Sequence, residues 1–200
     1  MQRLRVPVYY DFASSLCYVA HRVMERLAGP LDELGIELAW TPLDLTRLAG
    51  FGRGAPVEGP RRANALRVAQ ELGVPVRMPA CWMDSREANA VGLALAAAGS
   101  PREPTWRERV FSAIHEEGRS LDEPGAVARL AGDLGLAVDP LLSAGALDAL
   151  ERETARARDD EVTGVPTFML DGWPLGGIQE EPTMLSLLSR WATRRRPEGR

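Results

Sequence analysis

Thr163-Gly164-Val165-Pro166-Thr167-Phe168 is the stretch on which the fold turns, taken together with Ser14-Ser15-Leu16-Cys17 near the other end. The run leads into the apolar segment Phe168-Met169-Leu170. An Asp171-Gly172 turn follows, then a second short segment, Trp173-Pro174-Leu175. A proline at the mouth of a strand points to a cis peptide bond, because cis bonds are nearly always X-Pro and mark tight turns. The Val165 N–H and C=O would then be free to pair with an extended thiol-bearing ligand, as an added strand does. At the other end, the strand-like Val6 to Phe12 runs through Ala13-Ser14-Ser15-Leu16-Cys17 into a helix. A strand, a nucleophile-sized residue at a helix start and a distant cis-proline together describe a site that handles thiols.

Working outward, Pro7 is expected at the start of the first strand or at an unpaired position. The first helix is expected from about Ser15 to Ala28, where Leu16, Val19, Ala20, Val23 and Leu27 form an apolar stripe; Gly29 and Pro30 supply the stop. Ile36-Glu37-Leu38-Ala39-Trp40 alternates as a second strand does, which implies a parallel pair with a right-handed crossover. Gly50–Pro60 is glycine- and proline-rich. No strand feeds it in dinucleotide-binding register and no Lys-Ser/Thr follows, so it reads as a mobile surface loop or lid.

Helices are expected over Arg61–Leu72, Ser85–Ala98, Thr105–Glu117, Pro124–Leu134 and Pro140–Arg158. The β pattern returns at Thr167–Leu170 and Trp173–Leu175, with Asp171-Gly172 as a two-residue hairpin signal. A last helix starts at Pro182 and carries Leu185, Leu188 and Trp191. The order is βαβ, a block of helices, then ββα. Neither β half has strands enough to stand alone. They are expected to join in one sheet, an α/β domain made of 1–48 and 159–193, with 49–158 as an inserted all-helical domain and 194–200 as a flexible tail.

The chain has 200 residues, enough for an ample core. A net charge of -4 gives no reason to expect nucleic acid or an anionic membrane as partner. All 24 basic side chains are arginine, which reads as codon bias, and Arg194-Arg195-Arg196 reads as a frayed, solvated end. No signal-peptide core and no stretch near about 18 apolar residues is present, so a complete gene product of this sequence is expected to be cytoplasmic. With two cysteines, Cys17 and Cys81, no disulfide framework is expected there. Trp40, Trp82, Trp106, Trp173 and Trp191 are core or dimer contacts, with core the default; a homodimer stays open.

These residues resemble the DsbA family, with its thioredoxin-like fold and inserted helical domain, in the branch of FrnE-type oxidoreductases, 2-hydroxychromene-2-carboxylate isomerases and kappa-class glutathione transferases. The resemblance is carried by Tyr10-Asp11-Phe12-Ala13-Ser14-Ser15-Leu16-Cys17-Tyr18, Asp84-Ser85-Arg86-Glu87-Ala88-Asn89 and Gly164-Val165-Pro166-Thr167-Phe168, and it covers essentially the whole chain. Gly176-Gly177-Ile178-Gln179 is closer to the FrnE-type Gly-Ala-Gln than to the Asp-Arg of the isomerases. The resemblance places Ser14 and Cys17 on the two cysteines of the redox members. A serine forms no disulfide, so the two-thiol cycle is not available in this motif. In the glutathione-using members a serine at this place resembles a donor to the bound thiolate. The resemblance thus implies glutathione or a similar small thiol as cosubstrate, with a small-molecule or peptide substrate.

Read as chemistry, Ser14 is a helix N-cap that also offers its hydroxyl, beside unpaired N–H groups and the helix dipole, to a thiolate. Such surroundings lower a thiol's pKa. Cys17 is either an inert apolar residue or a single redox thiol. The expected catalytic residues are Ser14 and Cys17, with Val165, Pro166 and Thr167 binding the thiol. Asp84, Ser85 and Asn89 are a candidate ligand clamp implied by the resemblance, Asp84 being also a candidate N-cap. Cys81 and His21 are auxiliary candidates, Cys81 as a displaced second thiol and His21 as a thiolate partner or a surface residue. Cys17 and His21 match the spacing of metal ligands, but the chain holds too few histidines and cysteines for a structural zinc site, so no metal is expected. The readings left standing are a thiol oxidoreductase with a degenerate Ser-x-x-Cys motif, a glutathione-dependent isomerase or transferase using Ser14, and a redox-inactive peptide-binding module.

Overall fold

A computed structural model describes residues 3–142 and 145–196. In chain order the elements are β1 (Leu4–Tyr10), α1 (Ser15–Arg26), α2 (Ala28–Glu33), β2 (Ile36–Pro42), α3 (Leu45–Ala49), α4 (Gly59–Glu71), α5 (Arg86–Ala97), α6 (Glu103–His115), α7 (Ala126–Asp133), α8 (Val138–Leu141), α9 (Ala146–Asp159), β3 (Thr167–Leu170), β4 (Trp173–Gly176) and α10 (Glu181–Arg195). The strands form one sheet in the order β2-β1-β3-β4. β2 runs parallel to β1 from Leu4↔Ile36 to Tyr10↔Pro42, while β3 is antiparallel to β1 through Val8↔Phe168 and Tyr9↔Thr167. The two ends of the chain thus meet in the sheet, as a thioredoxin-like fold requires. Asp171 and Gly172 both have positive φ, 55° and 83°, as the two central residues of a type I′ hairpin must.

Pro7 lies mid-strand, opposite Ala39, rather than at the start. Its missing N–H is tolerated because the β3 ladder begins only after it, at Val8. Gly29 and Pro30 do not stop the first helix so much as open another. The chain breaks at Leu27, and Pro30 sits in the first turn of α2, where an N–H has no partner to lose. Residues 143 and 144 of the expected Pro140–Arg158 helix lie outside the described residues, with α8 and α9 on either side.

One large apolar core joins β1, α1, α5, α6, α7 and α10, so the sheet-bearing and helical segments share their interior. A smaller cluster of Tyr9, Leu43, Ala157, Val162 and Met169 seals the sheet against α9. α1 is covered nearly all round: Ser15, Cys17, Tyr18, Val19, Ala20, His21, Val23 and Met24 are all buried. α5 approaches the sheet at Gly92, where a Cβ would stand 3.1 Å from the Tyr10 hydroxyl.

The Arg194–Arg196 end is not free. Arg195 pairs with Asp171 at 2.5 Å, and Arg196 donates to the Gly35 carbonyl at 3.3 Å; residues 197–200 of the expected tail lie outside the described residues. Trp106 is fully buried, whereas Trp173 is 77% exposed on the edge strand β4. Among the described residues no helix is long and apolar enough to cross a membrane.

Candidate active site

The start of α1 opens into a cleft of about 300 Å³. Ala13, Ser14, Ser15 and Leu16 form its floor, and Thr163, Gly164 and Val165 one side. Leu45, Ala49, Phe51, Val57, Arg61, Asn64, Ala65, Met78, Pro79 and Trp82 form the rest. Arg61 is the only charged residue among them.

Ser14 takes an extended backbone conformation before the helix, and its Oγ accepts the Cys17 N–H at 3.4 Å, as an N-cap does. The same hydroxyl lies close enough to the Cys17 thiol to lower its pKa. The N–H groups of Ser15 and Leu16 have no hydrogen-bond partner among the described residues, as the first turn of any helix dictates. The positive end of α1 and its two unpaired N–H groups therefore lie at the cleft.

Opposite stands Val165, whose peptide bond to Pro166 is cis. Neither the N–H nor the C=O of Val165 is hydrogen-bonded among the described residues. The turn is held from behind. The Thr167 hydroxyl donates to the Gly164 carbonyl at 2.7 Å, and the Pro166 carbonyl accepts the Gly177 N–H at 2.8 Å. Pro166 and Thr167, expected to bind the thiol, are buried, while Val165 is among the residues that line the cleft.

Cys17 is fully buried in the large core. Burial pushes its thiol up to about 12, against the lowering pull of Ser14. Such a thiol is protonated at neutral pH, and of the two readings left open for Cys17 its full burial favours the inert apolar residue. His21 is likewise buried rather than on the surface. Its ring stacks on Phe111, Nε2 lies 2.8 Å from Glu108 Oε2, and Nδ1 lies 3.0 Å from Arg107 Nη1. A guanidinium only donates, so Nδ1 accepts and Nε2–H donates to Glu108. His21, Glu25 and Glu108 are close enough together to hold a metal ion. In this structure the two carboxylates also pair with Arg22, so the group forms an ion-pair network.

Asp84, Ser85 and Asn89, expected as a ligand clamp, are not among the residues that line the cleft. Asp84 pairs with Arg86 and, at 3.4 Å, with Arg53, and these partners hold its carboxyl below the usual range. Ser85 and Asn89 are buried behind the floor. The Ser85 hydroxyl donates to Asp11 at 2.6 Å, and Asn89 Nδ2 donates to the Leu43 carbonyl at 2.9 Å. Cys81 is exposed and borders a separate hollow with Arg77, Met83 and Arg119; it and Cys17 are both free thiols.

Phe51, Arg61 and Trp82 were not singled out by sequence reasoning as residues of the cleft wall. Phe51 and Trp82 stack at 4.5 Å, and the Arg61 guanidinium lies 4.4 Å over the Phe51 ring. The loop carrying Phe51, expected to be mobile, is pinned along Ala80–Trp82: Gly54 N–H to the Trp82 carbonyl at 2.7 Å, Trp82 N–H to Ala55 at 2.9 Å and Val57 N–H to Ala80 at 2.8 Å. The only signal in the sequence was an aromatic in each of two glycine- or proline-bearing loops.

The chain matches the family model of the DSBA-like thioredoxin domain over residues 5–189. Among proteins of curated function none matches it. Among solved structures it is similar to a 2-hydroxychromene-2-carboxylate isomerase, at 25% identity and TM-score 0.71, covering 96% of this chain and 98% of that one. A probable DsbA oxidoreductase from Streptomyces coelicolor superposes with TM-score 0.77 at 21% identity, over 99% and 94% of the two chains. The cytosolic disulfide reductase DsbM from Pseudomonas aeruginosa, solved with GSH, does so with TM-score 0.64 at 21% identity, over 96% and 97%. The last two likenesses are of fold.

Proposed function

Because the chain belongs to the DSBA-like thioredoxin domain family, we propose that it is an enzyme that binds a small thiol of the glutathione class and uses the thiolate of that ligand, not one of its own, as nucleophile. The observation that carries this is the contrast within one helical turn: Ser14 lines the cleft, and Cys17 is sealed in the core. The ligand would run antiparallel to Val165, exchanging hydrogen bonds with its free N–H and C=O. Its sulfur would meet the Ser14 hydroxyl and the start of α1, which favour the thiolate. Arg61, the one charged side chain of the cleft, would face a carboxylate.

The reaction class supported best is addition of the bound thiolate to an electrophilic carbon, as in a glutathione-dependent isomerase or transferase. The similarity at 25% identity to 2-hydroxychromene-2-carboxylate isomerase supports this class. A second reading, disulfide exchange on a peptide through the bound thiol, is favoured by one feature. A second hollow of about 350 Å³, which shares Leu16 and Asn64 with the cleft, lies beside Gly177–Gln179 and gives room for an extended chain.

Calorimetry with glutathione, followed by thiolate absorbance of the complex near neutral pH, tests the common premise. Binding with thiolate formed at a pH where free glutathione is protonated is expected. Absence of binding, or binding with the thiol still protonated, sinks the reading. Turnover with a conjugated electrophile against turnover with a disulfide-bonded peptide separates the two reactions; binding of peptide with neither turnover would leave a peptide-binding module.

A further inference from the structure

Asp11 plays no part in the chemistry above, yet its carboxylate is fully buried at the back of the cleft floor. Oδ1 accepts the Ala13 N–H at 2.8 Å and the Ser85 hydroxyl at 2.6 Å, and Oδ2 accepts the Leu45 N–H at 2.8 Å. The three donors come from three separate segments. Ala13 is in the turn entering α1, Leu45 is the first residue of α3, and Ser85 stands just before α5. Ala13 and Leu45 both line the cleft, on its floor and its far wall. The Asp11 main-chain carbonyl also takes the Ser14 N–H, at 3.1 Å. No arginine pairs with this carboxylate among the described residues, so hydrogen-bond donors alone compensate its burial. Only a group with two acceptor oxygens in one rigid plane joins these donors at once.

We propose that Asp11 is a positioning residue: it sets the spacing between the Ser14 hydroxyl and the α3 wall, and hence how closely a ligand sulfur is held to the start of α1. The inference rests on the thiol-binding reading above. Asp11 touches no ligand itself and acts through Ala13, Ser14 and Leu45. Asp11→Asn is the informative change. Its one oxygen keeps the Ala13 and Ser85 bonds, while its amide opposes the Leu45 N–H, donor against donor, and releases the wall.

The test is a double-mutant cycle on the full chain, read as glutathione affinity by calorimetry in wild type, Asp11→Asn, Ser14→Ala and the double variant. Asp11→Asn is expected to weaken binding about 10-fold. Added to Ser14→Ala it is expected to weaken binding by less than about 3-fold more, because both changes act on the same hydroxyl. Unchanged affinity in Asp11→Asn overturns the proposal. So do fully additive losses, which a general loosening of the fold produces. Should Asp11→Asn not fold, Ser85→Ala takes its place in the cycle. It removes one donor and leaves the carboxylate, and additivity with Ser14→Ala again overturns the proposal whereas coupling supports it. Wild-type protein that binds no glutathione identifies the thiol-binding reading as the failure, and the positioning role falls with it.

Discussion

At the scale of single residues, the decisive pair is Ser14 and Cys17. Both were visible as candidates in the sequence, and their spacing was that of a redox motif with its first cysteine replaced. What the sequence did not show is that Cys17 points into a core on the covered side of α1, where its thiol is pushed up to about 12. Two outcomes follow for turnover of a thiol-dependent substrate. On the proposed reading, Ser14→Ala removes a donor to the developing charge and is expected to lower kcat roughly 10²-fold, with the fold intact. Cys17→Ala is expected to leave turnover unchanged and to cost about 1 kcal/mol of stability through the small void it opens. Steady-state kinetics and denaturant unfolding on the two variants check both. A large loss of activity in Cys17→Ala would restore the redox reading. The burial of His21 was not legible either, because the buried face of α1 is wider than its apolar stripe and takes in a polar ring.

At the scale of elements, the strands, the Asp171-Gly172 hairpin and most helix boundaries were legible, because apolar periodicity and turn chemistry are local. The short helices α2 and α3 were not. α3 is held by a cap from Asp44, whose Oδ1 accepts the Thr46 N–H at 3.0 Å, and by its place against α9. The element with a testable pH response is the end of α6. His115 is fully buried, stacks on Tyr18 and lies with Nε2 2.9 Å from the Phe12 carbonyl, which accepts its proton. Burial lowers its pKa from 6.5 to about 4. Between those values the unfolded chain holds the extra proton, so this group's contribution is complete above pH 6.5 and is lost as pH falls toward 4. His115→Gln keeps a donor for Phe12 and removes the titration. From pH 7 to pH 5 the wild type is expected to lose about 2 kcal/mol more than this variant. Equal losses in urea melts at the two pH values would show that His115 is not buried neutral.

At the scale of the whole molecule, the cleft exists because the sheet, the start of α1 and the loops around Phe51 and Trp82 come together from distant parts of the chain. The two cysteines report on that assembly. In the native protein an alkylating reagent is expected to label Cys81 alone, since Cys17 has no exposed surface. After unfolding both are expected to react. Intact mass and peptide mapping check this, and rapid native labelling of Cys17 would mean that α1 opens to solvent. Mixed-disulfide formation with glutathione disulfide should follow the same selectivity.

By itself, the sequence determined the order of strands and helices, the joining of the two β halves in one sheet, the family, and the meeting of Ser14 with the Val165 loop. These follow from apolar period, capping and turn residues, all of which act over a few positions, and from family motifs. Which side chains line the cleft was decided only by tertiary structure. Ser85 and Asn89 turned out to brace the floor through Asp11, and Phe51, Arg61 and Trp82 to build the wall. Burial and hydrogen-bond partners at those positions come from segments tens of residues away. No local pattern encodes them.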